Sequence, residues 1–324
     1  MSRSVVRPEL AFQSSEAARS HGLTWERAAG LLLGAAGSMM LGEIATAAAA
    51  ADEAVRLLTP IGDSWGLVHA EAILGGIAQA AHRFDDASRY LEHAAAASER
   101  LGFLGQAAYH LTRLGRVRHQ AGQLQAAAQT LTLAIQAAIR GSDPRMAATA
   151  RINLARVMQA TGQHDAAQAL LHQCDDWYRT AGGGDGALLT RALLAATSDR
   201  DDADLEAIAG QARLAGDHEA EVVMLDALAL RVAQRGQVAT ARHLLASADD
   251  AALAAVTIVD EVDRLDAHRA RELLSGERQA LSAPSPARER DTRPVRRKIF
   301  WTERSGCPPH PAGSCGTRLS AMPR

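Results

Sequence analysis

Lys and Arg together number 35 in a chain of 324 residues, yet a single one, Lys298, is a lysine. A phosphate-binding loop of the GxxxxGK[ST] kind needs a lysine that reaches the phosphates. Lys298 follows Arg296 and Arg297 with no glycine loop before it, so ATP hydrolysis is not expected. No HExxH occurs and the twelve histidines are dispersed, which argues against a helix-borne zinc site; a G-x-S-x-G elbow is also missing. The run Ala181-Gly182-Gly183-Gly184-Asp185-Gly186 has the look of a phosphate cradle, but no strand precedes it, and it reads as a flexible loop between repeats. Cys307, His310 and Cys315 offer three metal ligands, one short of a closed structural zinc site. Asp175-Asp176 and the acids from Asp199 to Asp204 fall where helix starts and solvated turns collect carboxylates. Met39 and Met40 read as core filling. No catalytic, cofactor-binding or metal-binding residue is assigned, and the chain is not expected to be an enzyme.

The chemistry that remains is recognition by arginine. Tyr109, Arg113, Arg116 and Gln120 recur at i, i+4, i+7 and i+11, one stripe of a helix opposite Leu111 and Leu114. Thr149, Asn153 and Arg156 form the matching stripe one step of the chain's repeat later. Adjacent helices would hold Arg116 and Arg156 about 10 Å apart, a forked donor site for a carboxylate or phosphate. These seven residues are the expected partner-binding groove, and an acidic peptide segment of a protein is the expected ligand.

The elements that must position this stripe are helices. Hydrophobic residues make up 47% of the chain and aromatics only 3%, because the apolar mass is carried by 70 alanines, the smallest side chain that favours a helix. Seven of the ten prolines lie after Ala280, which leaves long proline-free stretches. The chain also repeats, with a period near 40. Ala121-Gly122-Gln123-Leu124 with Ala127, Leu131 and Ala134 recurs one period on as Thr161-Gly162-Gln163-His164 with Ala167, Leu171 and Cys174. One period back stand Ala81-His82-Arg83-Phe84 with Ala87, Leu91 and Ala94, and before those Leu41-Gly42-Glu43-Ile44 with Ala47, Ala51 and Ala54. Arg235-Gly236-Gln237-Val238 follows Gly162 at slightly under twice the period, which leaves room for one degenerate unit between, from Leu188 to Leu214 with a turn at 198–202. Each unit is a helix, a tight turn and a second helix, with small residues where the two cross. Pro60 and Pro144 fall between repeats, where similar turns occur at Gly62 and at Gly141-Ser142.

This pattern resembles the tetratricopeptide repeat (TPR), whose hallmark small residues match Gly75, Gly115 and Ala155 in first helices and Ala87, Ala127 and Ala167 in second helices. The resemblance spans about Arg27 to Leu274. It implies an all-α, TPR-like right-handed solenoid of about six helical hairpins with a period near 40, in which first helices line the concave face. The long period is similar to the helical arm of LuxR-family and SARP/AfsR-type bacterial transcriptional regulators, although neither the ATP-binding switch domain nor the helix-turn-helix of such proteins is visible. The resemblance therefore implies a non-catalytic interaction or sensor scaffold related to a regulator arm; the alternative is a stand-alone adaptor for an acidic partner peptide. The peptide-carboxylate clamp of some TPR proteins is not reproduced, since its lysines are absent.

The expected organisation is an N-terminal extension over 1–26, the repeat domain over 27–274 and a disordered basic, proline-rich tail over 275–324. From Ser275 onward there are ten basic and four acidic residues, so the tail carries +6 and the body −8 of a net charge of −2. Arg293, Arg296, Arg297 and Lys298 beside Phe300 and Trp301 suit weak polyanion contacts only, and direct nucleic-acid binding is otherwise not expected. An altered, out-of-frame ending of a truncated regulator gene is an expectation that translating the other two frames past Leu274 tests. The first 25 residues lack a signal-peptide core, and the apolar run from Ala28 to Leu41 is shorter than the roughly 20 residues that span a bilayer. Three scattered cysteines suggest no disulfide framework, so a cytoplasmic protein without membrane or cofactor is expected.

Overall fold

The structure, a computed structural model, describes residues 7–184, 186–198, 200–254 and 264–282. The described residues contain fourteen α-helices and no strand: α1 (Pro8–Ser20), α2 (Thr24–Met40), α3 (Ile44–Ile61), α4 (Ser64–Ala80), α5 (Phe84–Arg100), α6 (Leu104–Gln120), α7 (Leu124–Arg140), α8 (Pro144–Ala160), α9 (His164–Thr180), α10 (Ala187–Ala196), α11 (Asp202–Ala215), α12 (His218–Gln234), α13 (Val238–Ala254) and α14 (Leu265–Ser282). Six hairpins result, each of a first (A) and a second (B) helix, from α2/α3 through α12/α13, as the spacing predicts. The degenerate unit falls where expected, as α10 and α11. Two helices are added to the expected twelve. α1, inside the expected N-terminal extension, packs on α2 so closely that a Cβ at Gly30 would stand 2.9 Å from the Ala11 carbonyl oxygen. α14 starts before the expected tail boundary and crosses it. The rest of the tail, including Arg293 to Trp301 and the Cys307, His310 and Cys315 set, lies outside the described residues.

The repeat is cut finer than the sequence period, into halves of equal length. From α2 to α9 the helices begin at Thr24, Ile44, Ser64, Phe84, Leu104, Leu124, Pro144 and His164, a constant step, because a seventeen-residue helix is closed by a three-residue turn; α3 is the exception, one residue longer, with Pro60 inside its last turn rather than beyond it. Every turn needs one residue in the left-handed region, and glycine fills it at Gly22, Gly42, Gly62, Gly102, Gly122 and Gly162. At Gly122 the amide donates to His119 O at 2.9 Å and that of Gln123 to Arg118 O at 2.8 Å, the paired bonds that satisfy the last carbonyls of a helix. His82 at φ 54° and Ser142 at φ 52° make the same turn without the freedom of glycine.

Within each hairpin the B helix presents the same three positions to the core, the third being Ala94, Ala134 and Cys174. Ala87, Ala127 and Ala167, with Leu91, Leu131 and Leu171 one turn on, are all 0% exposed. Opposite Leu131, a Cβ at Gly115 would come within 2.5 Å of its Cγ, so α6 and α7 cross at a distance only glycine permits. The degenerate hairpin keeps the pattern: Leu205, Ala209 and Ala212 of α11 are buried at the spacing of Ala167, Leu171 and Cys174. Leu205 stands almost midway along the chain between Ala167 and Ala241, so the long interval is divided nearly evenly. Met39 packs into the first core cluster as expected, whereas Met40 stands 65% exposed.

Candidate functional site

Four A helices bring the stripe together: α4, α6, α8 and α12. α6 carries Tyr109, Arg113, Arg116 and Gln120, and packs on α8, which carries Thr149, Asn153 and Arg156. Arg113 lies back across α4. Its Nη1 donates to Ala72 O at 3.0 Å and its guanidinium sits 5.8 Å from the centre of the half-exposed Tyr109 ring. Burial lowers its pKa, partly offset by Tyr109. Gly76 makes room for it, since a Cβ there would stand 2.9 Å from Nη2 of Arg113 and 2.8 Å from Cε of Met39. Gln120 is joined to the same helix, accepting from Nε2 of Gln79 at 2.9 Å. On α8, Asn153 donates to Thr149 O at 2.8 Å and Thr149 to Arg145 O at 3.1 Å, both within their own helix.

Arg156 is only 5% exposed and forms an ion pair with Glu219, in the first turn of α12. Burial alone would raise the Glu219 pKa; Arg156 and Arg116 outweigh it and hold the carboxyl below its ordinary range. Thus Arg116 and Arg156, one repeat apart, act on a single carboxylate. That carboxylate belongs to the chain itself.

Glu219 is the member of this arrangement that the sequence does not single out. It stands 63 residues from Arg156, an interval unrelated to the period. Gly76 left a fainter mark: a second glycine in mid-helix costs about 1 kcal/mol against alanine unless a close approach requires it. Beside Glu219, Asp217 caps α12 by accepting from the Ala220 amide at 3.1 Å, and Glu221 accepts from Arg213 at 2.6 Å.

Of the carboxylates set aside as capping groups, Asp201 is one, accepting from the Asp204 amide at 2.8 Å at the start of α11. Asp175 and Asp176 instead lie inside the C-terminal half of α9, where Asp175 stands 3.4 Å from Arg179 one turn on. The glycine run joins α9 to α10, with Gly182, Gly183, Gly184 and Gly186 all at positive φ. Cys174 is buried, donates weakly to Ala148 O, and has its thiol pushed up by burial to about 11. Among the described residues no group of three or more His, Cys, Asp or Glu is placed to hold a metal. A small cavity of about 80 Å³ lies between α8, α10, α12 and α14, lined by Gln159, Thr197, Asp226 and Asp266 among others, far below the roughly 300 Å³ of a ligand pocket. No described helix is long and apolar enough to cross a membrane.

No protein-family model matches the chain, and no curated protein matches it in sequence. Solved structures do match. The chain is similar to the aspartyl phosphate phosphatase F of Bacillus subtilis, at TM-score 0.66 and 11% identity over 78% of this chain and 67% of that one. It is also similar to the apo form of RapI, at TM-score 0.59 and 10% identity over 76% of this chain and 98% of that one. At such identities the likeness is one of fold: this chain is a TPR-like helical-repeat protein.

Proposed function

We propose that the chain is a non-catalytic protein-interaction scaffold whose A-helix face, around Tyr109, Arg113, Arg116, Gln120, Thr149, Asn153 and Arg156, receives an acidic segment of a protein partner. The observation that carries this reading is the buried ion pair of Arg156 with Glu219, whose carboxylate also feels the charge of Arg116 one repeat earlier; a partner's glutamate or aspartate would use the same interaction. Arg113 and Gln120 contribute by fixing α6 on α4, so that the guanidinium of Arg116 is presented from a rigid support.

The finer reading, an arm related to LuxR-family or SARP/AfsR-type regulators, is supported by the repeat period near 40 and is tested by partner identity. Affinity capture with the full chain, read by mass spectrometry against an Arg116→Glu control, should recover an ATP-binding switch protein or a promoter complex. Recovery of an unrelated client that the control also loses favours the adaptor. A partner list identical for both chains would move the docking face elsewhere.

A further inference from the structure

Between Arg156 and the outside stands Glu219. Arg156 is 5% exposed and the Glu219 side chain 18%, so no partner group reaches the inner guanidinium while Glu219 is seated. The seat is peculiar to one place in the array. α10 has only ten residues where other A helices have seventeen, and α12 meets α8 across it. Glu219 lies in the first turn of α12, where the helix dipole adds to the attraction of the arginines for a carboxylate.

That first turn is held differently from the rest of its helix. Beyond it, Met224 and Leu228 are buried in the core, and Asp226 accepts from Nε and Nη2 of Arg264 at 2.8 and 2.7 Å. Before it stands Gly216 at φ 72°, preceded by Leu214, 92% exposed. The turn itself makes one core contact, through the fully buried Ala220, and is otherwise tied down by charges: Glu219 on Arg156, Glu221 on Arg213, and the Asp217 cap. A buried ion pair returns little net stability once desolvation is counted, and exchanging Glu219 for a second carboxylate at the same arginines leaves no guanidinium unpaired, so the exchange costs far less than breaking the pair outright.

We propose that Glu219 is a resident occupant of a carboxylate site, and that the acidic segment of a protein partner binds by taking its place, with the first turn of α12 released about Gly216. The proposal rests on the A-helix face being the docking face. It names the ligand group as a side-chain carboxylate and makes occupancy by Glu219 the control on access; apparent affinity is reduced by the fraction of time the seat is taken.

The test uses fluorescence anisotropy of a labelled hexaglutamate peptide with the full chain. Glu219→Gln should bind the peptide roughly tenfold or more tightly than the wild type, and adding Arg116→Ala to that variant should abolish the gain. Equal affinity of Glu219→Gln and wild type overturns the displacement proposal. If wild-type binding nonetheless falls on Arg116→Ala, the docking face survives without it; a gain that survives Arg116→Ala places the peptide elsewhere and overturns both. Should Glu219→Gln fail to fold, hydrogen exchange in the wild type decides: saturating peptide should accelerate exchange of amides 218–222, and unchanged exchange there overturns the proposal.

Discussion

From α2 to α9, and again from α10 to α14, the same hairpin is stacked, but the two regions are joined by different forces. In the first, helices start at a constant interval and neighbours meet through small apolar side chains such as Ala108, Ala137, Ala138 and Ala147. Ion pairs between its own helices are partly or largely exposed, as in Arg140–Glu99 with both side chains more than half exposed. In the second, α10 and α11 are short, the intervals are unequal, and long guanidinium groups bridge what small side chains no longer reach. Arg231 donates to the carbonyls of Ser198 and Arg200 and pairs with Asp202. Arg264 and Asp226, each 4% exposed at the side chain, fasten α12 to the start of α14. Regular spacing allows a core of alanines, and broken spacing is filled by arginine with a buried acid.

The contrast breaks most visibly at Arg264. Asp226→Ala leaves the guanidinium buried with only Asp249 to face it, and should cost about 3–5 kcal/mol in urea unfolding. Replacing both partners with apolar residues, Asp226→Leu with Arg264→Met, should recover most of that. A single variant that costs less than about 1 kcal/mol would mean the second region is held by its apolar cluster instead.

In the regular region the equivalent insult is steric. Ala127, fully buried against Leu131, Leu154 and Val157, has no room for a ring, and Ala127→Phe should cost about 1–3 kcal/mol. Leu214→Phe, at a 92% exposed site of the irregular region, should leave the melting temperature unchanged.

A buried imidazole stands among the alanines of the regular region. His110 is 1% exposed at a position that is Ala70 and Ala150 one repeat either side, and neither ring nitrogen has a hydrogen-bond partner. Burial first, then Arg113 and His69, lower its pKa to about 4. Between that value and the ordinary 6.5 the unfolded chain binds the extra proton. Stability should therefore be full above about pH 6.5 and fall as the pH drops towards 4, by at most about 3 kcal/mol. Denaturant midpoints at about pH 7 and pH 4.5 measure it, and His110→Ala should flatten this part of the profile.

The smallest expected effect sharpens the comparison from the side of the turns. His82→Gly gives the turn at 82 the residue its φ of 54° favours, and should add about 1 kcal/mol or less. Ser142→Gly should do the same, and neither change should alter the irregular region.

By itself, the sequence determined the stack. Turn glycines in phase, small residues at Gly75, Gly115 and Ala155, and the triplet Ala127, Leu131 and Ala134 specify which residues of a hairpin meet, because contacts within a hairpin are local and recur with the period. The places of α10 and α11 were legible too, since their apolar positions keep helical spacing, whereas the register of that hairpin was not. The arginine stripe was legible as a stripe, but not what its members do. Arg113 turns back onto the Ala72 carbonyl because Gly76 leaves space there, and Arg156 turns onto Glu219 because the short α10 lets α12 approach α8. Such pairings join residues 41 and 63 apart. They depend on how closely non-adjacent helices come together, a distance set by helix lengths and crossings summed over several repeats, and only the tertiary structure decided it.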